Sequence, residues 1–248
     1  MRDRGQEAAL GDERTVTDLL IDQVEFCDVR VLNKTDLVTP ADLERTESVL
    51  HHLNPGAEIV RAERARVPLG RVLETGRFDM EKAKRSAGWL RELEGEHVPE
   101  TEQYGISSFV YRARRPFDPA PLWRLLHSAR HWETVLRSKG FFWIATRPGV
   151  CWSWSLAGRR PHVEAMAPFW ADQWPTGERP EGASEERWDP RWGDRMQELV
   201  LIGIGMDQAD LRRRLDACLV DEALSRSGPA SWSLLDDPFP PLPDGFWE

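Results

Sequence analysis

The chain has 248 residues and carries 33 basic against 42 acidic side chains, a net charge of −9 with the histidines counted as neutral. This length allows one large domain or two ordinary ones, and the acid excess disfavours a general nucleic-acid-binding protein, which needs a basic surface. Neither a signal-peptide pattern nor an apolar run long enough to span a bilayer is found, so secretion and membrane insertion are not expected. Three cysteines without a CxxC spacing argue against a disulfide framework or a zinc ribbon and favour the reducing cytoplasm.

The first half of the sequence predicts a β-α-β unit that follows an N-terminal helix. Apolar side chains at near-helical spacing predict that helix over residues 12–25, and residues 29–32 form a short β-prone run. Pro40 is typical of a first helical turn, and the Asn-Pro-Gly sequence after Leu53 ends the helix that Pro40 begins. Residues 57–60 then predict a second strand. Because a helix separates the two strands, we expect them to pair in parallel.

A charge-rich stretch separates the two halves of the sequence. Residues 82–103 mix acids and bases and include five closely spaced glutamates, which is typical of a linker. The sequence therefore predicts a boundary near residue 100, with one domain over residues 1–100 and a second over residues 101–248.

The second half predicts an α+β module without an internal repeat. Two apolar runs on either side of Pro148-Gly149 predict a β-hairpin, and leucines at helical spacing predict a long helix before it. A stretch rich in Trp, Pro, Glu and Arg, residues 168–195, is expected to form a long surface excursion. The predicted strands are 105–113, 140–146, 150–156 and 199–204, the predicted helices are 121–137 and 208–219, and a proline-rich tail starts at Ser227.

The tetrapeptide Asn33-Lys34-Thr35-Asp36 lies directly after the first predicted strand and before a helix. A carboxylate at Asp36 can accept from guanine N1–H and N2–H₂ together, the Asn33 amide can address an acceptor on the ring, and the aliphatic stem of Lys34 can cover the flat base. Adenine offers the carboxylate the wrong pattern and leaves a desolvated charge unsatisfied, which makes such a site selective. The tetrapeptide therefore indicates a guanine-binding loop, with an ordinary polar loop as the alternative.

Candidate metal ligands are sparse. His127 and His131 lie four residues apart on a predicted helix, so both imidazoles could face one side and hold zinc. No third or fourth ligand accompanies them, and the same side chains could equally form a partly buried stripe or a solvated face. No pattern of Ser, His and Asp predicts a catalytic nucleophile.

Several segments together resemble a known family. The quoted segments are VEFCDVRVLNKTDLV, LNPGAEIVRAERARVPLGRVLETGRFD, YGISSFVYRARRPFDP, RSKGFFWIATRPG and WDPRWGDRMQELVLIGIGMD. They resemble the later part of CobW-type GTPases, P-loop proteins related to HypB and UreG that are associated with the delivery of metals, including zinc and cobalt. The resemblance runs from about residue 12 to the end of the chain.

This resemblance implies a fold, a site and a set of partners. The fold is an α/β unit, part of a P-loop GTPase parallel sheet, followed by an α+β CobW C-terminal domain. The implied guanine-recognition residues are Asn33, Lys34 and Asp36, and the implied cofactor is GTP with Mg²⁺. Zinc or cobalt and a metal-dependent client protein are the implied metal and partner, whereas no nucleic-acid or membrane partner is expected.

The sequence also departs from the family pattern. Family members place a phosphate loop, switch regions, a Walker B acid and commonly a CxCC motif ahead of the segment where this chain begins. None of the lysines here follows a glycine, so these 248 residues contain no GxxxxGK[ST] phosphate loop. We expect the last section of a GTPase fold plus a full CobW C-terminal domain, through truncation, a late start codon or reduction. The chain alone is expected not to hydrolyse GTP.

Two functions fit these expectations. The first is a GTP-linked metal-delivery protein in which guanine recognition is retained and the phosphate half is supplied elsewhere or lost. The second is a non-enzymatic module whose CobW C-terminal domain binds a client, with the Asn33–Asp36 loop as a relic. Most of the twelve tryptophans follow residue 120, and they either build a core or offer a protein-binding surface.

Overall fold

The structure, a computed structural model, describes residues 16–79, 105–157, 160–173, 179–181, 185, 187–243 and 245–247. The chain divides into two compact units, Met1–Ile106 and Ser107–Glu248. The predicted linker and the predicted boundary near residue 100 lie outside the described residues, so the two domain ranges stay predictions. In the ranges given above, no helix is long and apolar enough to cross a membrane.

The first unit contains a two-stranded parallel sheet and two helices. The strands pair from Val29 opposite Glu58 to Asn33 opposite Ala62. The predicted order of helix, strand, helix and strand is confirmed, as is the parallel pairing. The elements are α1 (Val16–Phe26), β1 (Val29–Asn33), α2 (Pro40–Leu53) and β2 (Glu58–Ala62).

Local capping explains why α2 begins and ends where it does. The Thr39 hydroxyl oxygen accepts a hydrogen bond from the backbone N–H of Asp42 at 3.2 Å, and Pro40 occupies a position where no backbone donor is needed. At the other end, the Asn54 backbone N–H donates to the Leu50 carbonyl at 3.1 Å. Pro40 and Asn54, which predicted the start and the end of α2, therefore lie at its observed ends.

Arg30 joins β1 to the end of α2 and the start of β2. Its buried guanidinium donates to the carbonyl oxygens of Leu50, Asn54 at 2.6 Å and Ala57 at 3.2 Å. Burial lowers the pKa of the Arg30 guanidinium, and the three carbonyls supply the acceptors that a buried cation needs. The turn between α2 and β2 is thus held in place from β1.

The second unit is built on a five-stranded sheet with the strand order β3-β7-β4-β5-β6. The pairs β7–β4, β4–β5 and β5–β6 are antiparallel. A parallel α/β unit followed by an α+β unit is therefore the fold, as predicted. The strands are β3 (Ile106–Ala113), β4 (Val135–Phe142), β5 (Val150–Ala157), β6 (Arg160–Pro168) and β7 (Gln197–Ile204), and the helices are α3 (Pro119–Leu126), α4 (Trp170–Gln173), α5 (Gln208–Asp216), α6 (Glu222–Ser227) and α7 (Pro229–Trp232).

The hairpin around Pro148-Gly149 is confirmed, with a shift in its first strand. β4 runs over Val135–Phe142 rather than residues 140–146, and β5 starts at Val150 as predicted. No range was predicted for β6, and all of this strand except Pro168 lies before the predicted surface excursion. The tail also differs from the prediction, because α7 (Pro229–Trp232) lies within it.

The long helix predicted over residues 121–137 is wrong. The helix α3 ends at Leu126, a short 3₁₀ turn follows over Ala129–Trp132, and the chain then enters β4 at Val135. Two contacts override the helical spacing of the leucines, one with a residue seven positions back and one with a distant strand. The indole N–H of Trp132 donates to the Leu125 carbonyl at 3.2 Å, and residues from Val135 onward pair with β7.

Aromatic rings fill the core of this unit. Trp132 and Trp154 are fully buried and meet edge to face, with ring centroids 5.4 Å apart. Phe117, also fully buried, forms isolated bridges with Ile144 on one side and Leu219 on the other. Large rings from separate parts of the sequence therefore share one packed interior.

Gly140 lies where the backbone of β4 passes close to the backbone of β7. Its φ of 153° and its buried position place its α-carbon where an added Cβ would overlap the carbonyl oxygen of Glu198. We expect Gly140→Ala to lower the free energy of unfolding by about 3 kcal/mol or more. Alanine strains the positive-φ backbone, and its Cβ would force β4 away from the carbonyl oxygen of Glu198 in β7. Chemical denaturation measures the difference.

Gly205 provides the matched control for that substitution. It also has a positive φ, 61°, but nothing lies within 4 Å of an added Cβ. Gly205→Ala should cost only the conformational penalty of about 1–2 kcal/mol. Equal losses for the two variants would show that the contact between β4 and β7 contributes nothing.

Candidate functional site

The two parallel strands of the first unit end side by side, so the loops after them meet at one edge. Asn33 is the last residue of β1 and pairs with Ala62, the last residue of β2. The Asn33–Asp36 loop therefore follows one strand, and a loop over residues 63–66 follows the other. In open parallel sheets, ligands bind at this carboxyl edge.

Hydrogen bonds join the two loops. The side-chain oxygen of Asn33 accepts from the backbone N–H of Ala65 at 2.9 Å, and the Thr35 hydroxyl donates to the Ala62 carbonyl at 3.2 Å. Lys34 between them adopts the left-handed conformation, with φ 63° and ψ 35°. Because its oxygen is already engaged, the Asn33 side chain has its NH₂ group left to donate to a ligand.

Asp36 lies in the 3₁₀ turn Thr35–Leu37 that follows Lys34. The Leu37 backbone N–H donates to the Lys34 carbonyl at 3.1 Å and closes this turn. The Asp36 side chain is exposed and makes no hydrogen bond or ion pair with the part of the chain that the structure describes. An acceptor pair at Asp36 and a donor at Asn33 match the two sets of hydrogen-bonding groups on guanine.

The loop over residues 63–66 is the part of this site that the sequence did not reveal. Arg64 and Ala65 both have positive φ, 51° and 58°, and the Arg66 backbone N–H donates to the Glu63 carbonyl at 3.0 Å. Two consecutive left-handed residues turn the Ala65 N–H toward Asn33. The position of this loop directly after the second parallel strand was the sequence signal that could have revealed it.

The two loops at this edge carry three cations, Lys34, Arg64 and Arg66, and no metal-binding cluster among the described residues. Among the residues that are described, no three His, Cys, Asp or Glu side chains lie together in an arrangement that could hold a metal ion. The described part of the site therefore holds the hydrogen-bonding groups expected for a guanine base and no cluster of ligands for Mg²⁺.

His127 and His131 do not share a helix face. His127 follows α3 as its C-cap, where its Nδ1 lies 2.8 Å from the Trp123 carbonyl. His131 belongs to the next 3₁₀ turn, and its Nδ1 lies 2.9 Å from the guanidinium of Arg214. Because Arg214 can only donate, that imidazole nitrogen accepts, and it is engaged with a cation rather than available to a metal.

Comparison with protein families gives two matches in separate parts of the chain. Residues 106–219 match the cobalamin synthesis protein CobW C-terminal domain, and residues 6–61 match the CobW/HypB/UreG nucleotide-binding domain. The second range contains α1, β1, α2 and the Asn33–Asp36 loop. The first contains the whole five-stranded sheet.

Curated relatives match along nearly the whole chain. A protein of Dictyostelium discoideum named zinc-regulated GTPase metalloprotein activator 1 is 41% identical over 244 residues, which is 96% of this chain and 51% of that protein. The zinc chaperone Rv0106 of Mycobacterium tuberculosis is 30% identical over 246 residues, 94% of this chain and 56% of that protein. The chain thus spans about half the length of these relatives.

A solved structure shows a weaker likeness. The Zn(II)-bound YjiA GTPase from E. coli is 24% identical, with a TM-score of 0.39 over 81% of this chain and 54% of that chain.

The fold and the loop define a class of protein in which a parallel α/β unit with an NKxD loop precedes an antiparallel α+β unit. With both family matches in that order, the predicted resemblance is confirmed. The chain belongs to the CobW family.

The contact between His131 and Arg214 predicts a shifted titration. Burial, together with the positive charges of Arg214 and Arg130, lowers the pKa of His131 below its usual value of about 6.5. We expect NMR titration to find this lowered pKa, and Arg214→Gln to raise it. Arg213→Gln on the same helix is the control, because Arg213 pairs with Asp210 and is not among the charges that shift His131.

The same shift makes stability depend on pH. Between the lowered pKa and about 6.5 the unfolded chain binds the His131 proton and the folded chain does not, so acidification through this window favours unfolding. The free energy of unfolding should fall less in His131→Gln than in the wild type over that window. An equal fall would contradict the lowered pKa.

Proposed function

We propose that this chain supplies guanine recognition and the CobW C-terminal domain to a GTP-dependent protein that delivers zinc. The observation that carries the proposal is a pair of groups at the carboxyl edge of the parallel sheet that have no hydrogen-bond partner among the described residues: the exposed Asp36 carboxylate and the side-chain NH₂ of Asn33. The names of the two relatives, a zinc-regulated GTPase and a zinc chaperone, support zinc rather than cobalt as the metal.

The roles of the loop residues follow from their chemistry. Asp36 accepts from guanine N1–H and N2–H₂, and Asn33 donates to an acceptor on the other edge of the base. The left-handed conformation of Lys34 lets the chain turn between these two side chains, and its aliphatic stem covers the base. Bound GTP would supply the chemistry of phosphoryl transfer, for which the described residues offer no cluster of Mg²⁺ ligands.

A substitution at Asp36 tests base recognition. We expect Asp36→Asn to lower guanine affinity by about 2–4 kcal/mol, because one acceptor is lost and a donor then faces a donor. Xanthine has a carbonyl where guanine has its amino group, so the new amide can donate to it and the preference should move from GTP toward XTP. Competition binding with GTP, XTP and ATP measures the ranking in a chimaera that joins the phosphate-binding half of a CobW relative to this chain.

Two further variants separate base recognition from a general charge effect. Asp36→Ala should weaken GTP without gaining XTP, and Glu44→Gln, which neutralises an exposed carboxylate on α2, should leave the ranking unchanged. An unchanged ranking in Asp36→Asn would contradict guanine recognition. The alternative, a non-enzymatic module that binds a client, would then be favoured.

The 248-residue chain by itself allows a second test. Binding to the base alone rests on a few charge-assisted hydrogen bonds, each worth about 1.5–3 kcal/mol before ordering costs. We expect weak binding of guanosine, seen as NMR shifts of the Asn33 side-chain amide, and much weaker binding of adenosine. Submicromolar, Mg²⁺-dependent binding of GTP to this chain would contradict the expectation that binding rests on the base alone.

A further inference from the structure

A pocket of about 360 Å³ lies within the second unit, away from any residue assigned a role above. Its apolar lining is made by the indoles of Trp143, Trp192 and Trp232, and we call it the tryptophan pocket. The ring centroids of Trp143 lie 5.4 Å from Trp192 and 6.0 Å from Trp232. This volume falls within the range of small-molecule sites, about 300–1,000 Å³.

The tryptophan pocket carries an uncompensated positive charge. The guanidinium carbon of Arg191 lies 4.2 Å from the ring centroid of Trp192, and the guanidinium donates to the Ser225 carbonyl at 2.8 Å. Both partners are uncharged, and Arg191 forms no ion pair with a carboxylate in the described ranges. The other two lining arginines are paired: Arg195 at 3.2 Å with Asp172, the single carboxylate among the lining residues, and Arg226 at 3.7 Å with Glu222.

Arg191 keeps hydrogen-bond donors for a ligand at this pocket. Arg191 uses Nη2 for Ser225, which leaves its other N–H groups available. A pocket with unused donors, one unpaired guanidinium and a wall of indole rings favours a ligand that is an acceptor, an anion and partly apolar.

The walls of the tryptophan pocket are tied together before any ligand binds. Arg195 donates to the Pro148 carbonyl at 2.7 Å and to the Trp192 carbonyl at 3.3 Å. The indole N–H of Trp232 donates to the Leu224 carbonyl at 2.7 Å. Because these residues are already ordered, binding carries a smaller entropic cost.

We propose that the tryptophan pocket binds a carboxylate carried on an apolar group, with the carboxylate on Arg191 and the apolar group on the indoles. A planar guanidinium matches a carboxylate, and one uncompensated positive charge matches one negative charge better than a phosphate dianion. Two sources have this chemistry: a small organic acid, and the C-terminal residue of a peptide. This site is independent of the proposed guanine site, whose residues all lie before residue 67.

Indole ¹H–¹⁵N NMR spectra of the full 248-residue chain test the proposal, with 3-phenylpropionate as the probe. The acid should shift the indole resonances of Trp143 and Trp192 in a saturable manner, and Trp143→Phe identifies the first of these. Its neutral amide, 3-phenylpropionamide, should bind at least about tenfold more weakly, because it lacks the charge that Arg191 recognises. Equal binding of acid and amide would overturn the proposal.

Variants then assign the effect to Arg191. Arg191→Gln should lower the affinity for 3-phenylpropionate at least about tenfold. Arg213→Gln removes one positive charge from an exposed arginine outside the pocket and should leave the affinity unchanged. Arg191→Lys keeps the charge and should bind 3-phenylpropionate more tightly than Arg191→Gln does. This comparison holds even if Arg191→Gln lowers the thermal unfolding temperature. No difference between the wild type and both Arg191 variants would overturn the proposal.

The two sources are distinguished with peptides. The tripeptide Gly-Gly-Phe with a free carboxylate competes with 3-phenylpropionate, and the amidated tripeptide is its control. Tighter binding of the free tripeptide than of the acid supports a peptide C-terminus as the ligand, whereas tighter binding of the acid supports a small organic acid. If neither compound shifts the Trp143 or Trp192 resonances, the proposal is wrong.

Discussion

The second unit depends on the buried side-chain amide of Gln197. Its oxygen accepts from the backbone N–H of Trp143 at 2.9 Å, and its NH₂ donates to the carbonyls of Trp143 at 3.0 Å and Arg115 at 2.8 Å. The side chain is fully buried, so these backbone groups have no water to replace it. One residue at the start of β7 thus joins the chain after β3 to the chain after β4, and it also holds Trp143 in the wall of the tryptophan pocket.

The parts of the fold that could be predicted from sequence are those with local causes. The bounds of α2 follow from Thr39 and Pro40 at its start and Asn54 at its end, and Thr39 and Asn54 each bond a backbone group within four residues along the chain. The end of α3 has a distant cause, because Val135 and the residues after it pair with β7, more than sixty residues later in the sequence. Helical spacing in residues 121–137 carries no information about that pairing, so the predicted helix was too long.

The same distinction separates the two candidate sites. Asn33, Lys34 and Asp36 form one tetrapeptide after a strand, so their chemistry could be inferred from their order. The loop around Ala65 requires knowledge that β1 and β2 end side by side. The tryptophan pocket combines residues from four separate segments, and each of them, such as Arg191 beside Trp192, is unremarkable alone. Only the folded chain shows that Arg191 has no carboxylate partner among the described residues.

The two sites also differ in how much order they have before a ligand arrives. The Asp36 carboxylate is exposed and makes no hydrogen bond or ion pair with a described residue, so binding a guanine base must order it, at a free-energy cost that contacts to the phosphates of a nucleotide would offset. The tryptophan pocket instead lies between rings already in contact and arginines already bonded to backbone carbonyls. The balance of ordering cost against contact energy therefore makes the proposed guanine site depend more on contacts to the phosphates of the nucleotide, whereas the proposed carboxylate site needs only residues of the second unit.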